Sequence, residues 1–434
     1  SFLCGISPSL NFLILARTLQ GIGGGGLAPV EQSMLADTFP PEKRGLAMSA
    51  YGVVVIVAPI AGPTIGGYIT DTLSWNWIFF INIPFGIASL LLVQAYVVES
   101  EAIKQRTHEL RAKGIRFDYI GFALIALALG CMEVMLDRGE RDDWFASPMI
   151  TTLAVISGLS FAAFIPWEWT HENPVVAIRL LKQRNFAITC TFMLLVGMVI
   201  FGTTLFIPQF LQTVLGYTST NAGEALSLGG IATIITMPLA GILTGRMDAR
   251  WLVGAAFLIQ ALALWNMTGL NTEISFDDAA MARMWQSVGI PFLFIPISTV
   301  AYVGLRPEYY NQASALMNVT RNIGGDVGIG IVQSMISERS QFHQARYAEQ
   351  LNPFNPNYNQ AVNSLSQAMT AQGLPQSEAG PAATAQIYHQ LQQQALMLSY
   401  VDIFHVMMIV LFIALPLVFF MRAPKRGNVH VDVG

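Results

Sequence analysis

Apolar stretches of about 20 residues, each long enough to cross roughly 30 Å of hydrocarbon as a helix, recur from one end of this chain to the other. In lipid every backbone N–H and C=O must find its partner within the protein, so such runs fold as helices. Charged or turn-rich breaks divide the sequence into a short apolar stub (Phe2 to about Leu10) and eleven spans, at about 11–36, 46–70, 76–98, 118–136, 148–167, 186–212, 219–245, 250–270, 280–304, 312–337 and 399–421. Only 12% of the 434 residues are charged, against about 25% in soluble domains. That is too little polar surface for water. The chain reads as an all-α, multi-spanning membrane protein.

The basic residues predict an orientation. Alternate loops and the C-terminal tail hold sixteen of the 23 Lys and Arg. The opposite loops hold five: Arg138, Arg141, Arg283, Arg339 and Arg346. The basic side is expected to be cytoplasmic, with the C-terminus inside. On the other side, residues 338–398 form a long loop rich in Gln, Asn, Ala and Pro, with helix expected from about Ala382. It reads as a solvated spacer or as a surface for a partner. Starting at Ser1 on half a span, with no signal peptide visible, the chain reads as a piece that has lost its N-terminus. Cys4, Cys131 and Cys190 all lie in apolar runs and suggest neither disulfides nor a metal site.

Gly21-Ile22-Gly23-Gly24-Gly25-Gly26 fits the G-x-G-x-x-G pattern of a dinucleotide-binding turn. That pattern needs a strand before it and an acidic residue about 20 positions on. Here it lies inside a span, so the glycines read instead as small residues that let helices pack closely. Two further clusters hold Gly62, Pro63, Gly66 and Gly67, and Gly324, Gly325, Gly328 and Gly330. Pro63 removes a backbone hydrogen bond and favours a bend. Segments 40–50, "PPEKRGLAMSA", and 306–316, "RPEYYNQASAL", both read Pro-Glu, then Ala six residues after the proline. Each is expected to be a cytoplasmic loop leading into a glycine-rich span. Parallel repeats of this kind belong to one large transporter fold.

These segments resemble the major facilitator superfamily, and within it the fourteen-helix drug:proton antiporters, the EmrB/FarB/QacA-like efflux permeases. "LARTLQGIGGGG" resembles the family's fourth-helix motif through Arg17, Gln20 and Gly21. "VAPIAGPTIGGYITD" resembles its fifth-helix antiporter motif through Gly62, Pro63, Gly66 and Gly67, and "WNWIFFINIPFG" the start of its sixth helix. "RNIGGDVGIGIVQS", with Gly324 and Gly325, is similar to a late helix of the group, and "LTGRMDARW" to a weaker copy of its gating motif. The resemblance implies two pseudo-symmetric helical bundles plus two extra central helices. Residues 1–98 would be the remainder of the N-terminal bundle, and 99–185 a cytoplasmic linker with the two inserted helices. Residues 186–424 would form the C-terminal bundle, carrying the periplasmic loop 338–398, and 425–434 a cytoplasmic tail. It further implies proton-coupled efflux of hydrophobic or amphipathic drugs across the inner membrane by alternating access, with no cofactor. A periplasmic adaptor and an outer-membrane channel would complete a tripartite pump. The alternative is an exporter of one metabolite, such as a siderophore or amino acid. In the family, the fourth-helix arginine works with an acid on the first helix, which on this alignment precedes Ser1.

Ionisable groups within a span are functional candidates by default. Arg17, Arg321, Asp326 and Glu224 lie inside spans, with Asp402 and His405 near the outer end of the last one. Arg17 reads as responding to a nearby carboxylate or as a hydrogen-bonded strut. Asp326 and Arg321 are five residues apart and do not share a helix face, so Asp326 needs a partner on another helix or a proton. Asn322 does share its face. Asp402 and His405, at i and i+3, either line a proton route or face outer water. Glu31 near the cytoplasmic end, with Phe206, Gln209, Phe210 and Asn322, is the candidate substrate-cavity set. Glu133 is set aside, because the resemblance places its helix outside both bundles. No H-E-x-x-H, Walker A or nucleophile-elbow sequence is present, and His171 and Glu172 lack metal spacing, which argues against an enzyme.

Overall fold

The computed structural model describes residues 1–97, 118–172, 174–272 and 274–421. Among them every regular element is helical. The N-terminal part holds α1 (Phe2–Gly5), α2 (Leu10–Gly24), α3 (Leu27–Thr38), α4 (Pro41–Thr72), α5 (Trp77–Phe80) and α6 (Asn82–Tyr96). A hairpin follows, α7 (Tyr119–Arg138) and α8 (Pro148–Thr170). Then come α9 (Arg184–Thr213), α10 (Ser219–Arg246), α11 (Ala249–Met267), α12 (Phe276–Val300), α13 (Tyr310–Ala348), α14 (Pro356–Ala371) and α15 (Gln376–Ala414).

Side chains fix where several helices begin. Ser9, Thr218 and Ser275 accept the backbone N–H of Phe12, Asn221 and Asp278 at 3.3, 3.2 and 3.2 Å. Each satisfies a donor that the first turn leaves without a partner. Pro41, Pro148 and Pro356 open α4, α8 and α14, where no N–H is required. Among the described residues seven segments are long and apolar enough to cross a membrane: Trp77–Tyr96, α7, α8, α9, α10 from Asn221, α11, and Gln376–Phe420.

Four expectations are corrected. The span at 11–36 is broken at Gly25–Gly26, glycine being the poorest helix former after proline. Segment 40–50 is helical from Pro41 onward, not a loop. Region 338–398 is mostly helix, because α13 runs on to Ala348 and α14 lies along α15, which starts at Gln376. Its Ala and Gln are good helix formers, which offsets the Asn and Pro that made it look irregular. Finally, Arg283 is no loop residue. It lies inside α12 and is fully buried.

The core lies among α9–α13 and α15. There α9 packs along α13 and α10 along α12, while α4 crosses from the N-terminal part onto α10. The inserted hairpin joins this group through α7, which lies on α13. Leu90, Leu91 and Leu92 of α6 and Ile234 and Ile235 of α10 are exposed, as a lipid-facing surface requires. Backbones touch at the α9–α13 seam. A Cβ on Gly197 would overlap the Arg321 carbonyl, one on Gly324 the Leu194 backbone, and one on Gly328 would stand 2.9 Å from Met198 Cα. Small residues supply this contact where lipid gives helices no hydrophobic reason to associate.

Candidate functional site

At the end where the basic loops lie, the N-terminal helices meet the C-terminal group backbone to backbone at glycines. A Cβ on Gly45 of α4 would stand 2.6 Å from the Gly241 carbonyl of α10, and one on Gly245 would stand 2.6 Å from that of Glu42. The Arg44 guanidinium lies 5.2 Å from the Tyr310 ring centre and donates to its hydroxyl at 3.2 Å. About two turns further along α4, Tyr51 stacks on Phe294 with ring centres 6.4 Å apart. Arg321, buried on α13, lies beside the Tyr51 hydroxyl and over the Phe294 ring at 5.9 Å. Asn318 donates to Gln32 of α3 at 2.9 Å. Glu31, exposed on α3, acts electrostatically on Tyr51. A polar seam therefore ties α3 and α4 to α13.

The opposite half of α4 is unlike this. Positions beyond the backbone at Gly62, Gly66 and Gly67 have nothing within 4 Å, and the same holds for Gly21 on α2. These motif glycines are not packing contacts among the described residues; the close packing expected of them occurs at Gly45, Gly241, Gly324 and Gly325 instead. The side chain of Pro63 lies outside the described residues, and α4 is one continuous helix through it.

Asp326 has the partner from another helix that its position called for. Its carboxyl, half-buried on α13, lies close enough to that of Glu133, an exposed residue of α7, for the two to act on each other. The hairpin that carries Glu133, which the resemblance places outside both bundles, packs directly on α13 near Gly330. At the far end of α13, Asp402 of α15 takes His343 Nε2 at 2.8 Å and Arg339 Nε at 3.4 Å. His405 is not part of this group. It is exposed, with its ring 3.0 Å from the carbonyl of Val401.

The other candidates are dispersed. Arg17 is exposed, donates to Gln20 at 2.9 Å and lies 5.4 Å from the Phe79 ring centre. Glu224, Gln209 and Asn322 are exposed. Phe206 and Phe210 are buried in the core, with Phe210 5.3 Å from the Tyr400 ring, so they do not line an open cavity. An apolar cavity lies elsewhere, between α9, α13 and α15, walled by Leu195, Val199, Val332, Ile403 and Met407. A buried polar cluster on α12 escaped the sequence reading. Arg283 Nη1 donates to Gln286 Oε1 and, at 3.2 Å, to Thr203 of α9, while Gln286 in turn reaches Gln260 of α11 at 3.3 Å. The signal was available, since Arg283 repeats the spacing Arg17-x-x-Gln20 as Arg283-x-x-Gln286.

Membrane-length helices in two groups, joined by glycine contacts and carrying ionisable side chains in their interior, define a helical membrane transporter. Residues 1–329 match the Major Facilitator Superfamily, and the chain belongs to that family. It is 37% identical over 425 residues to the multidrug export protein EmrB of Escherichia coli (strain K12), covering 98% of this chain and 80% of that one. Similarity extends to the fatty acid resistance protein FarB of Neisseria gonorrhoeae, 34% identical over 428 residues (99% and 81% of the two chains). The colistin resistance protein EmrB of Acinetobacter baumannii is 27% identical over 426 residues (98% and 81%). The chain is a multi-pass membrane transporter and not an enzyme.

Proposed function

We propose that this protein exports hydrophobic and amphipathic toxic compounds across the inner membrane by alternating access, in exchange for protons. The end-to-end similarity to a multidrug export protein carries the export reading. The Glu133–Asp326 contact supports the coupling. Two carboxyl groups can hydrogen-bond only while one keeps a proton. Losing it sets like charges side by side and pushes α7 away from α13. Substrate binding that favours one arrangement of these helices is then linked to protonation. The two bundles would be residues 1–98 and 186–424, with α7 and α8 between them. Arg321 and Tyr51 would carry the change across the seam, and Arg17 with Gln20 would act in the N-terminal half. Asp402, His405 and Glu224 would stand on the outer proton path, and the C-terminus would be cytoplasmic. The helices of region 338–398 would offer a periplasmic adaptor its surface, as in a tripartite pump with an outer-membrane channel.

The test is flux of several chemically unrelated dyes and drugs in proteoliposomes, with and without an imposed pH gradient, for wild type and Asp326→Asn. Export of all of them that needs the gradient and falls at least tenfold in the variant is the expected result. Movement of one compound family alone would replace the multidrug reading with a dedicated metabolite exporter. Flux indifferent to the gradient would overturn proton coupling.

A further inference from the structure

The cluster on α12 has no part in the proton coupling above, and its chemistry is unusual for a membrane interior. Ala282-Arg283-x-x-Gln286-x-x-Gly289 repeats Ala16-Arg17-x-x-Gln20-x-x-Gly23, at the same 266-residue offset that relates Pro307-Glu308 to Pro41-Glu42. The two arginines bond alike, each Nη1 donating to the amide oxygen of the glutamine three residues on. Their surroundings differ. Arg17 is exposed, whereas Arg283, Gln286, Ser287 and Gln260 are each 0% exposed.

Within this buried set the guanidinium is only half used. Nη1 serves Gln286 and Thr203, but Nε and Nη2 have no hydrogen-bond partner. No carboxylate stands within ion-pair distance among the described residues. Nε and Nη2 are the adjacent donors that form the side-on fork of arginine. The Ser287 hydroxyl, one turn on along the same face, is likewise buried and unpartnered. A Cβ on Gly229 of α10 would meet both Ser287 Oγ and Arg283 Cγ, so the hydroxyl and the stem of Arg283 face the α10–α12 seam while Nη1 reaches Thr203 on α9.

A cation held in a low-dielectric interior is costly without an anion, and the arginine fork matches a planar carboxylate with two parallel N–H···O bonds. The neighbouring surface is oily. Thr203, which accepts from Arg283, donates to the Val199 carbonyl at 2.6 Å. Val199, one turn along α9, opens on the apolar cavity of about 120 Å³ between α9, α13 and α15. An anion-seeking head site thus stands one helical turn from an apolar chamber.

We propose that Arg283, with Ser287, Gln286 and Thr203, binds the carboxylate of an amphiphile whose hydrocarbon chain follows α9 into that cavity. The proposal rests on the exporter reading and names medium-chain carboxylates as one compound class that the C-terminal helices recognise. Three chain-matched probes test it in nanodiscs by titration calorimetry: dodecanoate, neutral dodecanol and cationic dodecyltrimethylammonium. Wild type is expected to prefer dodecanoate. Arg283→Gln should weaken dodecanoate by about tenfold or more and leave the cation unchanged. Arg283→Lys, which keeps the charge and loses the fork, should fall between. Ser287→Ala should cost dodecanoate a few-fold and carries the test where the arginine variants do not fold. Equal binding of dodecanoate and dodecanol by wild type overturns the proposal, as does equal weakening of all three probes by Arg283→Lys or Ser287→Ala. Failure can be located. Gradient-driven export of a cationic dye without a carboxylate preference sinks this site and leaves the exporter reading. Carboxylate binding through Arg283 in a protein that moves no compound sinks the exporter reading and keeps the site.

Discussion

Glycines that look alike in the sequence do opposite things in the folded chain. Gly324 stands where a side chain would collide with the Leu194 backbone, whereas Gly66 faces nothing within 4 Å. Gly324→Val is therefore expected to destabilise the protein by at least about 2 kcal/mol, as overpacked sites do. Gly66→Ala should be neutral or stabilising by up to about 1 kcal/mol, because alanine is the better helix former. Thermal unfolding in detergent reads both, and a Gly324→Val protein as stable as wild type would show that the α9–α13 seam is not held by backbone contact. Loss of flux in a fully stable Gly66→Ala protein would place that glycine in a contact formed only in another conformation. The same contrast governs Arg17 and Arg283, which share a motif and differ in burial. Type and spacing were legible at both positions, and the neighbours that decide the role were not.

Helices as units were the most legible part of the sequence, because length and hydropathy alone mark a membrane span. Pro148 opens α8 where a span was expected to begin, whereas α12 starts at Phe276, behind the Ser275 cap and four residues ahead of the expected 280. The Gln- and Ala-rich region 338–398 was misjudged because its helices are polar, and polarity was taken as a sign of loop. What one span touches on another was hidden throughout. Glu133 and Asp326 are 193 positions apart in the sequence, and only the docking of α7 on α13 joins them. On the proposed coupling, that docking would make the inserted hairpin part of the machine and not a passive bracket. Glu133→Gln keeps a donor for Asp326 without a shared proton. It is expected to preserve folding and substrate binding while export loses at least tenfold of its response to the pH gradient. Full gradient response in this variant would return Glu133 to a structural part.

At the scale of the molecule, α3 and α4 close on α10 and α13 at one end. At the basic end Gly45, Gly241 and Gly245 bring α4 and α10 into backbone contact, with Arg44 on Tyr310 and Asn318 on Gln32 closing the same level. Toward the other end the glycines of α4 have no such neighbours. Alternating access about a central site requires the shut end to part, and glycine-to-glycine contact suits a seam that must close tightly and release without unlocking large side chains. A Cβ on Gly241 would stand 3.0 Å from that of Ser49, near the roughly 3.5–4.5 Å span of a disulfide. The pair Ser49→Cys and Gly241→Cys should therefore cross-link under mild oxidation and stop flux, with thiol reductant restoring it. Ser49→Cys alone should retain transport, and because a Cβ at Gly241 comes within 2.8 Å of the Gly45 carbonyl, Gly241→Cys alone sets the reduced baseline against which the effect of the cross-link is read. The native cysteines do not confuse the result, since Cys4, Cys131 and Cys190 lie on α1, α7 and α9. A cross-linked protein that still moves substrate at the wild-type rate would mean that compounds cross without this seam opening. The transport path would then have to run beside α4 and α10 instead of between them.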